Sequence, residues 1–234
     1  YEEALAEIAR ARKIGKDAGE VMELAGLEGR IYKQRFVKSG DMAALKSAVA
    51  AYETGWKQSK KSSAWHGVNM VALLHRAAVD GRPVIDAAKV RSLAGEVKQA
   101  ALAEKAKGYS WADASLGEVA IALGEYELAN TAYGAYLKAT TDEFALASTR
   151  RQLDEIWTRA KSVPDEWQAL RDKATWALMS AEKGQVQLEQ GELSALAERL
   201  QDDRQGYQGL FGSRPVPIEW AIRMIEVGKC IGRI

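Results

Sequence analysis

Apolar residues recur along most of this chain at helical intervals, separated by short polar or glycine-bearing breaks. Leu5, Ile8, Ala9 and Ala11 form a stripe that predicts an amphipathic helix over Tyr1 to Ile14, stopped near Gly15. Asp17 is placed to cap a second helix reaching about Phe36, with Val21, Leu24, Ile31 and Tyr32 on its inward side and Arg30 and Lys33 on another. Val37 to Gly40 reads as a loop. Asp41 then caps a helix carrying Leu45, Ala48, Val49, Tyr52 and Trp56, which pairs with its predecessor as an antiparallel hairpin.

Beyond a loop over Lys57 to Ser63, Trp65, Val68, Ala72 and Leu73 predict a helix from about Ala64 to Ala78, with Asn69 inside its apolar stripe. The turn at Asp80 to Pro83 precedes a long helix to about Lys107, with Val90, Leu93, Ala94, Val97 and Leu102 inward. From Tyr109 an internal repeat becomes legible. Leu116-Gly117, Gly124, Tyr126, Ala129 and Tyr133 fall at the spacings of the tetratricopeptide consensus. Small residues at Gly117 and Ala129 let two helices approach, Gly124 ends the first of them, and tyrosines fill the gap to the next repeat. A looser version, Gly29-x-x-Tyr32 and Ala48-x-x-x-Tyr52, precedes it, so three hairpins are expected between about residues 18 and 140, closed by a helix over Asp142 to Lys161.

The fold class predicted is therefore all-α: a right-handed tetratricopeptide-like solenoid of helical hairpins over residues 1–161. Residues 162–234 read as a C-terminal helical cap or small module. In it, Ser162-Val-Pro-Asp-Glu starts a helix carrying Trp167, Leu170, Ala174 and Leu178. Lys183 to Gly191 is a short strand or a loop, and helices are expected over about Glu192 to Tyr207 and Ile218 to Val227.

Composition agrees and narrows the partners. With 47% apolar and 28% charged residues among 234, the chain is neither disordered nor a membrane protein. A formal net charge of +1 supplies no global field for DNA or an anionic bilayer, so nucleic acid is not the default partner. A single cysteine, Cys230, cannot close an internal disulfide, which points to a reducing, cytoplasmic setting. No Cys/His cluster has metal-ligand spacing, no phosphate-cradling glycine loop is present, and no cofactor is called for. The chain starts at Tyr1 without methionine and reads as a piece of a longer polypeptide.

Glu28-Gly-Arg-Ile-Tyr-Lys33, the Ala48 and Tyr52 pair, Gly67-Val-Asn69 before an apolar run, the repeat after Trp111 and Arg150-Arg-Gln-Leu153 occur in an order that resembles the tetratricopeptide sensor domain of bacterial conflict-defence proteins. That domain is similar to the TRAF-binding central regulatory region of apoptosis signal-regulating kinases. The resemblance covers about residues 20 to 160. It implies a regulatory sensor beside a protease-like or TIR-like effector, and Val227 to Ile234 looks like the linker into a trypsin-like domain. Glu28 departs from the leucine that the repeat consensus prefers, and the 81–108 region carries little of that consensus.

Five residues are candidates for a ligand- or partner-binding groove: Arg30, Lys33, Asn69, Tyr109 and Trp111. Arg30 and Lys33 would face an anionic ligand, including a nucleotide-like one, or an acidic protein segment. The plainer alternative is a solvated face paired with Glu23 or Glu28. Asn69 needs a partner, because a buried amide left unpaired costs about 1–3 kcal/mol; a backbone end, a tyrosine hydroxyl or a ligand would serve. Tyr109 and Trp111 sit at a helix start where an exposed aromatic contact is expected, and Arg150 and Arg151 add charge from the closing helix. His66 and His75, the only histidines, lie in no nucleophile-elbow context, so no enzymatic activity is expected. The leading expectation is a non-catalytic sensor controlling a linked or partner effector; the competing one is a structural or inhibitory scaffold with no small ligand.

Overall fold

The computed structural model describes residues 1–14, 17–157 and 165–181, and these form an all-α array of helical hairpins. The expected strand or loop at 183–191, the helices at 192–207 and 218–227 and the 227–234 linker lie outside the described residues.

In chain order the helices are α1 (Glu2–Ile14), α2 (Ala18–Ser39), α3 (Met42–Gln58), α4 (Ala64–Val79), α5 (Ala87–Ala106), α6 (Ala112–Leu123), α7 (Tyr126–Ala139), α8 (Glu143–Gln152) and α9 (Asp165–Ser180). A π-helical turn over Leu153–Trp157 prolongs α8. Asp17, Asp41, Asp86 and Asp142 cap α2, α3, α5 and α8, each carboxylate accepting from a backbone N–H of the first turn. Successive helices pack from α1 through α7, α4 also meets α6, and α9 lies on α7 and α8. One apolar core runs from Phe36 on α2 to Leu178 on α9.

Two glycines set the spacing of the hairpins. A Cβ on Gly29 of α2 would come within 2.9 Å of three ring carbons of Tyr52 on α3, and one on Gly117 of α6 within 2.5 Å of the ring of Tyr133 on α7. Both of these hairpins, α2–α3 and α6–α7, thus seat a buried tyrosine of the second helix on the bare backbone of the first.

Three local expectations are corrected. Helix α2 continues through Val37 to Ser39 and stops only where Gly40 turns left-handed at φ 69°, so 37–40 is not a loop. Leu102 is 39% exposed, because α5 buries Val90, Ala94, Val97 and Ala101, a stripe that leaves the next residue facing out. On α2 the buried stripe is Ala25, Gly26, Gly29 and Phe36 instead of the larger Val21, Leu24 and Ile31, since Tyr52 and Trp65 supply the bulk there.

Candidate functional site

The buried stripe of α2 passes through Lys33, one turn after Gly29 and one turn before Phe36. Close seating of α2 on Tyr52 therefore carries a lysine into the interior of the array. There, the first helices of successive hairpins, α2, α4, α6 and α8, line one pocket, with Tyr52 of α3 at its side and Trp111 from the turn before α6. Its cavity volume is about 80 Å³.

Its floor is a chain of hydrogen bonds across four helices. Lys33 Nζ donates to Asn69 Oδ1 at 2.9 Å and to Gln152 Oε1 at 2.7 Å. Gln152 Nε2 donates in turn to Glu118 Oε2 at 2.8 Å, and Trp157 Nε1 reaches the same oxygen at 3.0 Å. Asn69 Nδ2 donates to the Trp65 carbonyl one turn earlier at 2.9 Å, so both ends of that amide are satisfied from within the chain. Nearby, Gln34 Nε2 donates to Glu155 Oε2 at 2.8 Å.

The charges in the pocket avoid direct pairing. Among the described residues no ion pair includes Lys33, Arg30 or Arg151, while both carboxylates, Glu118 and Glu155, are held by uncharged donors. Glu28, one of the two acids weighed as partners for a solvated face, binds Arg12. Desolvation dominates the titration of Lys33, pulling it down to about 8 against the opposing attraction of Glu118 and Glu155. Burial likewise raises Glu118, offset by its bonds to Gln152 and Trp157 and by the field of Lys33. At the mouth, the exposed Arg30 lies over the Trp65 ring at 6.0 Å from its centroid. Arg151, also exposed, lines the opposite helix, α8.

Four of the five residues picked from the sequence, Arg30, Lys33, Asn69 and Trp111, line this pocket. Tyr109 does not; it stands 57% exposed in the turn before α6. Trp111 is 42% exposed, with its ring 5.8 Å from that of Tyr136. The residues that sequence reasoning missed are Tyr52 as a pocket wall and Gln34, Glu118, Gln152 and Glu155. Glu118 was detectable, as an acid within the apolar run Leu116 to Leu123, the same signal that singled out Asn69. Trp65 was read as core yet is 36% exposed.

Neither histidine is arranged for nucleophilic catalysis. His66 Nε2 faces the Met22 carbonyl at 3.0 Å and so must donate, which leaves Nδ1 to accept from the Ser63 hydroxyl at 2.7 Å. A backbone carbonyl, not a carboxylate, orients that ring. His75 is wedged between the rings of Trp157 and Trp167 at 5.2 and 5.9 Å. Among the described residues no cluster of three His, Cys, Asp or Glu side chains could hold a metal ion, and no helix is long and apolar enough to cross a membrane.

No curated protein and no solved structure matches the chain. A family model does match its first part, over residues 1–74, a stretch that contains α1 to α3, most of α4, and with them Arg30, Lys33 and Asn69. The N-terminal half of this pocket is thus built from sequence similar to the family described as Tetratricopeptide Repeats-Sensor.

Proposed function

We propose that the chain is a non-catalytic regulatory sensor whose pocket recognises an anionic group, on a small ligand or on an acidic protein segment. The observation that carries this reading is the state of Lys33: a part-buried ammonium, hydrogen-bonded to two neutral amide oxygens and in no ion pair with a carboxylate among the described residues. Taking a cation out of water without an anion is costly, so a site built this way is incomplete until an anion arrives. Arg30 and Arg151 at the mouth supply the field that would draw one in.

A sensor needs an output. The similarity of residues 1–74 to a sensor family supports a sensing or protein-interaction role; the output we propose for it is a linked or partner effector, protease-like or TIR-like, in a cytoplasmic defence or stress pathway. The pocket also touches the segment that leads toward the C-terminus, since Gln152 and Glu155 belong to α8 and its π-helical turn.

The test is a thermal-shift series on the full chain with inorganic phosphate, pyrophosphate and an acidic peptide, repeated on the Arg30→Ala/Arg151→Ala variant. A shift in the parent chain that the variant loses supports the proposal. Equal shifts in both, with helical content unchanged, refute it.

A further inference from the structure

Tyr52 has no solvent exposure, lines the pocket, and its hydroxyl has no hydrogen-bond acceptor among the described residues. Burial raises its phenol well above the ordinary value, so the O–H stays protonated and remains a donor. It lies within electrostatic reach of Arg30 and Glu118. A buried donor left unmade is destabilising, and such groups in a native chain call for an explanation.

Lys33 presents a second unused donor. Its ammonium has three N–H groups, and Asn69 and Gln152 take two of them. Two donors, a part-buried ammonium and a buried phenol, thus share a pocket whose mouth carries two guanidinium groups with no carboxylate partner among the described residues.

We infer that the inner end of this pocket is a seat for a phosphoryl group, with Lys33 Nζ and Tyr52 Oη donating to its oxygens and Arg30 and Arg151 closing on it from the mouth. The inference rests on the anion-recognition reading above and deepens it. A carboxylate offers two oxygens in one plane and one charge. The donors here come from α2, α3 and α8, which suits a tetrahedral group with three terminal oxygens. The phosphoryl group is the shared chemistry of a small phosphate ester and of a phosphorylated side chain.

Tyr52→Phe tests this, because it removes one oxygen and keeps the ring that rests on Gly29. Without ligand, the variant is expected to melt at or above the temperature of the parent chain, since an unsatisfied donor has gone. By calorimetric titration it should bind inorganic pyrophosphate about tenfold more weakly or worse, the loss of one hydrogen bond to a charged acceptor. Acetate should bind the parent chain much more weakly than pyrophosphate. A phosphoserine peptide compared with its unphosphorylated form separates the two sources: tight binding of the peptide assigns the seat to a phosphorylated segment, and tight binding of pyrophosphate alone assigns it to a small phosphate ester. If Tyr52→Phe binds pyrophosphate as the parent does while Arg30→Ala/Arg151→Ala loses it, the inner seat is wrong and anion recognition at the mouth stands. If acetate and pyrophosphate bind equally, the phosphoryl assignment falls. If no anion binds, both readings fall together.

Discussion

Lys33 and Gln152, 119 positions apart, meet at 2.7 Å, and the glutamine amide stands between that lysine and Glu118. Its carbonyl accepts from the ammonium while its NH2 donates to the carboxylate. The bridge keeps a part-buried cation and a part-buried acid in one network without a direct ion pair, the arrangement on which the proposal of an external anion rests.

The bridge should be energetically coupled. A double-mutant cycle of Lys33→Met and Gln152→Leu, read by urea unfolding, is expected to give an interaction energy of about 0.5–3 kcal/mol. Additive single effects would mean that the contact carries no coupling.

Lys33 sets a pH dependence whose sign is opposite to that of a paired lysine. Its folded pKa, about 8, lies below the unfolded value of ~10.4, so between these the unfolded chain holds more protons at this site. Stability contributed by Lys33 therefore rises as pH climbs through that window, and the unfolding free energy of the parent chain should gain on that of Lys33→Met over the same range. Anion binding should weaken over the same window as the cation is lost. A stability difference that falls with pH would contradict the assignment.

Glu118→Gln keeps an oxygen for Gln152 and Trp157 but removes a charge that supports the lysine. The Lys33 pKa should drop further in this variant, followed by NMR of the lysine side chain, with helical content unchanged. An upward shift would mean that the carboxylate does not act on Lys33 as described.

The glycine seats make a stability prediction. Gly117→Ala places a methyl 2.5 Å from the Tyr133 ring and should cost about 1–3 kcal/mol through overpacking. Gly29→Ala should cost a similar amount and also weaken anion binding, because it displaces the Tyr52 ring. Chemical denaturation of both variants decides this; a neutral Gly117→Ala would mean that the two helices separate freely.

Much of the architecture could be read from the chain because the caps are chemically explicit and the Gly117 to Tyr133 spacing has a steric reason that survives in the structure. The inward face of α2 was misjudged for a related reason. Hydrophobic periodicity selects large apolar residues, whereas this helix buries alanine and glycine and lets Tyr52 of α3 provide the volume. With that face misplaced, Lys33 looked like a surface cation although its stripe leads inward. Asn69 and Glu118 each stand out as a polar residue within an apolar stretch of helix. Gln152 and Glu155 do not, since they sit in polar sequence, and only the π-helical turn at Leu153–Trp157 brings Glu155 round toward Gln34.

The central claim, that Lys33 is a desolvated cation that takes up an anion, is tested most directly by titrating its Nζ by NMR in the full chain, with and without saturating pyrophosphate. The prediction is a value near 8 in the free protein, rising by a unit or more when the anion is bound, because an adjacent negative charge favours the ammonium. An ordinary lysine value of ~10.4 in the free protein that pyrophosphate leaves unchanged would contradict it.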